Sequence, residues 1–365
     1  METPSGERTH IAFFGCRNAG KSTLVNILLG QDLCIVSDVK GTTTDPVSKS
    51  MELLPFGPVV LIDTPGYDDE GELGKKRISK TRQILNRADI AVLVISSTGG
   101  ITDTDLAFEK LIKEKGIPYF IYENKNLPNA RAELLSAIEK LYPAAKTEKK
   151  ILDGLIKAKD SVILVCPIDE AAPKGRLILP QQLVLREIID MHATAIVCQP
   201  EELKETMEGL RVPPAMVITD SQAFRQVLPV VDEKVPLTSF SILMARYKGF
   251  LDESRKAIGA LDSLKDGDRI LIAEGCSHRR QCGDIGTVKI PAALKKITGK
   301  ELAIETVSGS QFPEDLSPFA MIIHCGGCMI TEREVLFRMK CAQDQGIPFC
   351  NYGIFLAHAA GIPVM

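Results

Sequence analysis

The chain has 365 residues, 45% of them hydrophobic and 25% charged, the balance of a soluble globular protein of two or three domains. A net charge of −3 at pH 7 leaves no basic field for nucleic acid, and no apolar run approaches the roughly 20 residues that span a bilayer. The opening METPSGERTH lacks the apolar stretch of a secretory signal, so a cytoplasmic location is expected, where ten cysteines point to metal binding, catalysis or burial rather than disulfides.

In chain order, residues 8 to about 170 alternate β-rich runs with helix-length segments. Strands are expected at Ile11–Phe14, Val59–Ile62, Ile90–Ile95, Tyr119–Tyr122 and Val162–Val165. Helices are expected at Lys21–Leu29, Gly74–Asn86, Thr104–Lys115 and Ala130–Leu141. Near-continuous apolar strands alternating with helices predict a parallel sheet covered on both faces. A second piece opens after Pro173-Lys174-Gly175, with helices at Leu183–Met191 and Glu202–Glu208 and strands at Ala195–Cys198 and Met216–Ile218. It carries no catalytic motif and reads as a spacer or an oligomerisation unit. The third piece begins at the turn-like Lys265-Asp266-Gly267-Asp268. Its strands are expected at Ile270–Ala273, Met321–Ile323 and near Pro348–Cys350, its helices at Pro291–Ile297 and Glu332–Asp344. The fold class is α/β throughout, with domains over 1–172, 173–265 and 266–365 and no internal repeat.

Gly15-Cys16-Arg17-Asn18-Ala19-Gly20-Lys21-Ser22 fits G-x-x-x-x-G-K-[ST] between an apolar strand and a helix, with Thr23 next. Backbone N–H groups of such a loop and the helix N-terminus face a phosphate; Lys21 would reach the β/γ-phosphates and Ser22 would ligate Mg²⁺. Asp63-Thr64-Pro65-Gly66 ends the next apolar strand, which suits Asp63 to Mg²⁺ and the Gly66 amide to the γ-phosphate. Gly41-Thr42-Thr43-Thr44-Asp45 lies where a switch loop belongs, and Thr43 would join Mg²⁺ while the γ-phosphate is bound. Asn124-Lys125-Asn126-Leu127 follows a strand like the guanine-reading N-K-x-D, but without its aspartate. Asn126 offers an ambivalent amide there, which leaves base selectivity open.

This ordered set resembles the TrmE–Era–EngA group of Ras-like P-loop GTPases. The resemblance implies GTP/GDP and Mg²⁺ as ligands and a K⁺ ion held with the help of Asn18. That ion would neutralise charge between the phosphates in place of an arginine finger, making Lys21, Asn18 and Thr43 the catalytic group. Tyr67 stands where Ras-type enzymes have a water-orienting glutamine, so turnover without K⁺ is expected to be slow.

Six of the ten cysteines fall in the last 90 residues. Cys276-Ser277-His278 follows one expected strand and His324-Cys325-Gly326-Gly327-Cys328 another. If those strands are neighbours, five candidate ligands converge at strand C-termini, where α/β sheets concentrate their sites. A structural zinc, a [4Fe–4S] cluster with three thiolates and one weakly held iron, and a pair of buried reduced cysteines are all open on these residues. Cys282, Cys341, Cys350 and His358 lie outside the pattern and read as core or structural residues.

Together with the GTPase motifs, C-x-H followed after 45 residues by H-C-x-x-C resembles the HydF family of [FeFe]-hydrogenase maturation GTPases. The resemblance implies a Ras-like P-loop GTPase domain followed by two smaller α/β domains, for dimerisation and for the cluster. It implies Cys276, Cys325 and Cys328 as [4Fe–4S] ligands, with His278 and His324 as candidates for the fourth position or for tuning. The expected function is a GTP-hydrolysing scaffold that carries a transient diiron subcluster. Its expected partners are further copies of itself, radical-SAM maturases and the apo-hydrogenase, with no nucleic acid and no membrane. The alternatives are a K⁺-dependent GTPase of the ribosome- or RNA-assembly kind with a structural zinc domain, and a redox enzyme using the cluster for electron transfer.

Overall fold

The computed structural model describes residues 5–30, 46–67, 81, 83–97, 99–125, 129–145, 149–168, 177–275, 284–309 and 312–362. The chain divides into two compact units, Met1–Glu148 and Lys149–Met365.

The first unit comprises β1 (Thr9–Phe14), α1 (Lys21–Leu29), β2 (Val47–Leu53), β3 (Gly57–Asp63), α2 (described over 83–87), β4 (Ile90–Ser96), α3 (Asp103–Glu114), β5 (Tyr119–Asn124) and α4 (Ala130–Ala145). The sheet order is β2-β3-β1-β4-β5, parallel except for the β2–β3 pair. The central strands are apolar at nearly every position because both faces are covered. On one face Ile11, Phe13, Leu61, Val92 and Val94 pack against Leu24, Val25 and Leu28 of α1 and Leu134 and Ile138 of α4. On the other, Ala12, Phe14, Ile62, Leu93 and Ile95 meet Phe108 and Ile112 of α3. β2 has no counterpart among the expected strands. Its residues alternate half-buried and exposed, as an edge strand with one solvated face does, and that alternation is fainter than an apolar run.

The second unit contains two sheets. The first uses β6 (Ser161–Val165), β7 (Thr194–Cys198), β8 (Met216–Thr219) and β9 (Leu237–Ser239), with α5 (Leu179–Asp190), α6 (Leu203–Glu208), α7 (Phe224–Val227) and α8 (Phe240–Tyr247). After α9 (Leu251–Ala257), the other uses β10 (Arg269–Glu274), β11 (Ala303–Ser308), β12 (Met321–His324) and β13 (Phe349–Asn351), with α10 (Ile290–Thr298), α11 (Glu332–Asp344) and α12 (Tyr352–Ala359). The strand Val162–Val165, expected as the last of the first sheet, is instead β6, paired in parallel with β7 and β8. The first unit accordingly ends before residue 172. An all-apolar parallel strand carries the same pattern in whichever sheet it is buried, so only tertiary pairing assigns it.

Both sheets are wholly parallel and share one order, β7-β6-β8-β9 and β11-β10-β12-β13. In each, the chain runs from the first strand to one edge and then crosses to the other side. The carboxyl ends of the first and third strands therefore form a topological switch point, the crevice where open α/β sheets place ligands.

Candidate functional site

The loop between β1 and α1 is shaped by its smallest residues. Gly15 adopts φ +154° and a side chain there would lie 2.3 Å from the Val94 carbonyl oxygen; one at Gly20 (φ +92°) would meet the Asn124 amide at 1.9 Å. Asn18 adopts the left-handed conformation, φ 59°, which asparagine tolerates better than most residues. Asn124, at the end of β5, donates from Nδ2 to the Ala19 carbonyl at 3.1 Å and so ties the base-reading segment to the phosphate loop. Lys21 is buried, and its Nζ donates to the carbonyls of Gly15 and Cys16, both at 2.8 Å. Lys125 is exposed and pairs with Glu123 at 2.9 Å. Thr23 follows in the first turn of α1.

Ser22 and Asp63 come together as expected, Ser22 Oγ donating to Asp63 Oδ2 at 2.6 Å. Burial pushes the Asp63 carboxyl up, while the Ser22 hydroxyl and the Lys21 charge pull it back. Its Oδ1 is buried and has no hydrogen-bond partner among the described residues. A hydroxyl beside a buried carboxylate with an uncommitted oxygen suits a hard divalent cation such as Mg²⁺. Thr64 donates to the Phe13 carbonyl at 2.6 Å and anchors the turn that leads to Gly66. Thr43 and Asn126 lie outside the described residues.

Tyr67, next after Gly66, is buried against α3. Its ring stacks on Phe108 with centroids 4.4 Å apart, and its hydroxyl donates to Asp105 Oδ1 at 2.5 Å. Asp105 also closes a capping box with Thr102 at the start of α3 and accepts from the Cys16 thiol at 3.5 Å. Burial opposes its charge, but Tyr67, Thr102 and Cys16 together outweigh that and hold the carboxyl below its ordinary range. Tyr67 is thus committed to α3 rather than arranged to orient a water.

The second cluster sits at the switch point of the last sheet. β10 and β12 are neighbours, Ala273 opposite His324, so the condition on which the five candidate ligands would converge is met for the strands that carry them. The Cys325 sulfur accepts from the Gly275 N–H at 3.1 Å and from the Gly327 N–H at 3.4 Å. Gly275 directly precedes Cys276 in the chain. Cys276, His278 and Cys282 lie outside the described residues, and among the described residues no three metal-ligating side chains gather. Gly327 has φ +64°, and a side chain there would press on Val335 at 2.8 Å, so the close turn of C-G-G-C requires glycine. Burial raises both thiols, Cys328 to about 11 with the nearby Cys325 adding to it. A metal would displace those protons, and two N–H donors aimed at one sulfur favour its thiolate. This donor set fits an iron–sulfur cluster or a thiolate-bound metal.

His324 is fully buried, and both of its ring nitrogens are engaged. Nδ1 lies 2.7 Å from the Cys325 carbonyl, which can only accept, so Nδ1 carries the proton. Nε2 then accepts from Arg338 at 3.3 Å. Burial first, and the Arg338 charge second, lower the imidazole to about 3, so the ring is neutral. Arg338, itself buried, is paired with Glu334 at 2.8 Å and also donates to the Gly309 carbonyl at 2.5 Å. His324 is tied to the cysteine turn through Nδ1, and Arg338 engages its Nε2. Reading the sequence for ligands missed Arg338 and Glu334. Their i,i+4 spacing was visible, but on a helix it signals an exposed ion pair far more often than a buried one. Cys350 is buried and Cys341 half-buried, and both pack in the core as expected.

Three family descriptions match successive stretches of the chain: "50S ribosome-binding GTPase" over residues 10–125, "Hydrogen maturase F dimerization domain" over 151–249, and "Hydrogen maturase F tetramerization domain" over 252–364. GTPase Der of Clostridium botulinum is 40% identical over 109 residues, 29% of this chain and 25% of that protein. GTPase Der of Kosmotoga olearia is 32% identical over 182 residues, 46% of this chain and 41% of that protein. The chain thus spans less than half the length of either relative. Among solved structures, a point variant of Aquifex aeolicus Era bound to GDP and AlF4⁻ is similar at 18% identity and a TM-score of 0.29, covering 82% of this chain and 92% of that one.

Proposed function

The chain belongs to the hydrogen maturase F family of GTPases, and we propose that it is a GTP-hydrolysing scaffold that holds a [4Fe–4S] cluster and carries a diiron precursor to apo [FeFe]-hydrogenase. The observation that supports the cluster most is the pairing of β10 with β12, which sets the residue before Cys276 against the Cys325 sulfur. Cys276, Cys325 and Cys328 would hold the cluster, and a cluster with three thiolates has an iron open to a bridging ligand of the precursor. This chain's own part is to orient the turn through His324 and Arg338, to aim backbone N–H groups at Cys325, and to bury the site.

In the first unit, Lys21 and the loop amides bind the β- and γ-phosphates, while Ser22 and Asp63, with Thr43, hold Mg²⁺. Gly66 and Thr23 complete the phosphate contacts, and Asn124 and Lys125 face the base. Asn18 helps to place K⁺ against the phosphates in place of an arginine finger, while Tyr67, bonded to Asp105, is not arranged to orient the attacking water. Hydrolysis would then act as a switch for partner exchange. Copies of the chain associate through the two oligomerisation segments, the radical-SAM maturases supply the precursor, and the reducing cytosol keeps the thiols free.

The test is anaerobic reconstitution with iron and sulfide, then EPR of the reduced protein and of Cys325→Ser. A cluster signal lost in the variant and perturbed by added cyanide supports the scaffold. One tightly held zinc and no iron signal would remove it, leaving a GTPase with a structural metal domain.

A further inference from the structure

Lys248 ends α8, a helix of the segment that matches the dimerisation description and carries no motif of its own. The lysine is only 3% exposed, an uncommon place for an ammonium group. Its Nζ donates to the carbonyls of Gly327 and Ile330, both at 2.5 Å. Those two carbonyls bracket Cys328, so one ammonium gathers the two sides of the turn that carries it. The turn also rests on α8 itself: a side chain at Gly326 would meet Ser241 Oγ at 3.4 Å and Met244 Cβ at 3.5 Å. Cys328 packs against the core cluster to which Phe240, Leu243 and Met244 of that helix belong. The cysteine turn belongs to the tetramerisation segment, yet its floor and its clamp come from the preceding one.

A cluster held by three thiolates is negatively charged, and reduction adds one more negative charge. A buried ammonium beside the turn offsets that charge without the screening that water gives a surface lysine. We propose that Lys248 is a positioning residue for the Cys325–Cys328 turn and the fixed positive charge that holds the cluster's reduction potential up. This rests on the cluster reading above and adds to it that the dimerisation segment builds part of the cluster site.

Wild type, Lys248→Met, Lys248→Gln and the exposed-lysine control Lys295→Met are compared as full-length protein. Iron and sulfide content after reconstitution judges the cluster reading alone. The midpoint potential, from an EPR-monitored titration, judges the charge. Both Lys248 variants are expected to bind iron yet titrate lower by about 59 mV, a tenfold change in the reduced-to-oxidised ratio at fixed potential, while Lys295→Met stays at the wild-type value. Amide hydrogen exchange of residues 325–331 in cluster-free protein judges the clamp, and in Lys248→Met it is expected to quicken about tenfold. Lys248→Gln keeps a donor without the charge, so it carries the potential measurement if Lys248→Met does not fold. Potentials equal to wild type in a loaded variant, or an equal shift in Lys295→Met, overturn the charge role. Unchanged exchange overturns the clamp. A wild type that takes up no iron overturns the cluster reading itself, and the exchange measurement still decides the clamp.

Discussion

Lys21 and His324 are both buried side chains that sequence alone singles out, and burial acts on them in different ways. Lys21 donates to two loop carbonyls, and those contacts aim it at the place where phosphate oxygens would bind. Lys21→Ala should lower GTP hydrolysis by on the order of a hundredfold or more while leaving unchanged the EPR spectrum of the cluster proposed for the second unit. Loss of both together would contradict two independent units. His324 stays neutral. Its folded value of about 3 lies below the ordinary ~6.5, so its contribution to stability is complete above ~6.5. As pH falls from there toward 3, the unfolded chain takes up the proton first and stability declines. Denaturant titration of the cluster-free protein near pH ~7.5 and ~5.5 should show a loss on the order of 1 kcal/mol at the lower pH. His324→Gln should remove most of that difference, and an unchanged loss in the variant would mean that another group titrates.

At the scale of the element, α11 carries its pair in an unusual setting. Glu334 and Arg338 are four residues apart on the helix, and both are buried, Arg338 completely. An exposed pair of this spacing contributes a few tenths of a kcal/mol. Here removal of one partner strands the other in the core. Arg338→Met should therefore destabilise the second unit by about 3–5 kcal/mol in equilibrium unfolding, and Glu334→Gln added to it should recover much of that loss. Equal destabilisation by the single and double variants would show that the packing of Arg338 over Phe312, rather than its charge, is what counts. In the first unit the start of α3 is a comparable junction, because Asp105 satisfies Thr102, Tyr67 and Cys16 at once. The residue after Gly66 is thereby fixed to a helix by the same carboxylate that touches the phosphate loop.

Across the whole molecule, a nucleotide site and a thiol site occupy different compact units, each at the carboxyl ends of parallel strands. Tyr67 is bonded to Asp105, and the K⁺ ion proposed beside Asn18 would neutralise charge between the phosphates. GTP turnover should rise about tenfold or more when Na⁺ is replaced by K⁺ at constant ionic strength, and Asn18→Ala should abolish the difference. Equal rates in the two salts would remove Asn18 from the catalytic group. The second unit repeats one strand order in two sheets, and the thiol site uses the switch point of only the second of them.

The P-loop, the Asp63–Gly66 turn, the order of most strands and helices, and the H-C-x-x-C turn were all legible in the amino-acid sequence. These are short-range patterns, in which residue type and spacing carry the chemistry within one stretch of chain. Helix α11 and the first helix could be read to the residue for the same reason. It took the folded chain to show that Val162–Val165 opens a new sheet, because a strand buried on both faces reads alike in any sheet. The same holds for polar β2, since β3 supplies the pairing that its own residues do not announce. The roles of Lys248, Arg338 and His324 belong to this second class. A lone lysine in a segment without motifs reads as surface, and a histidine beside a cysteine reads as a ligand. Contacts with residues up to 82 positions away in the chain turn both into supports of the cysteine turn.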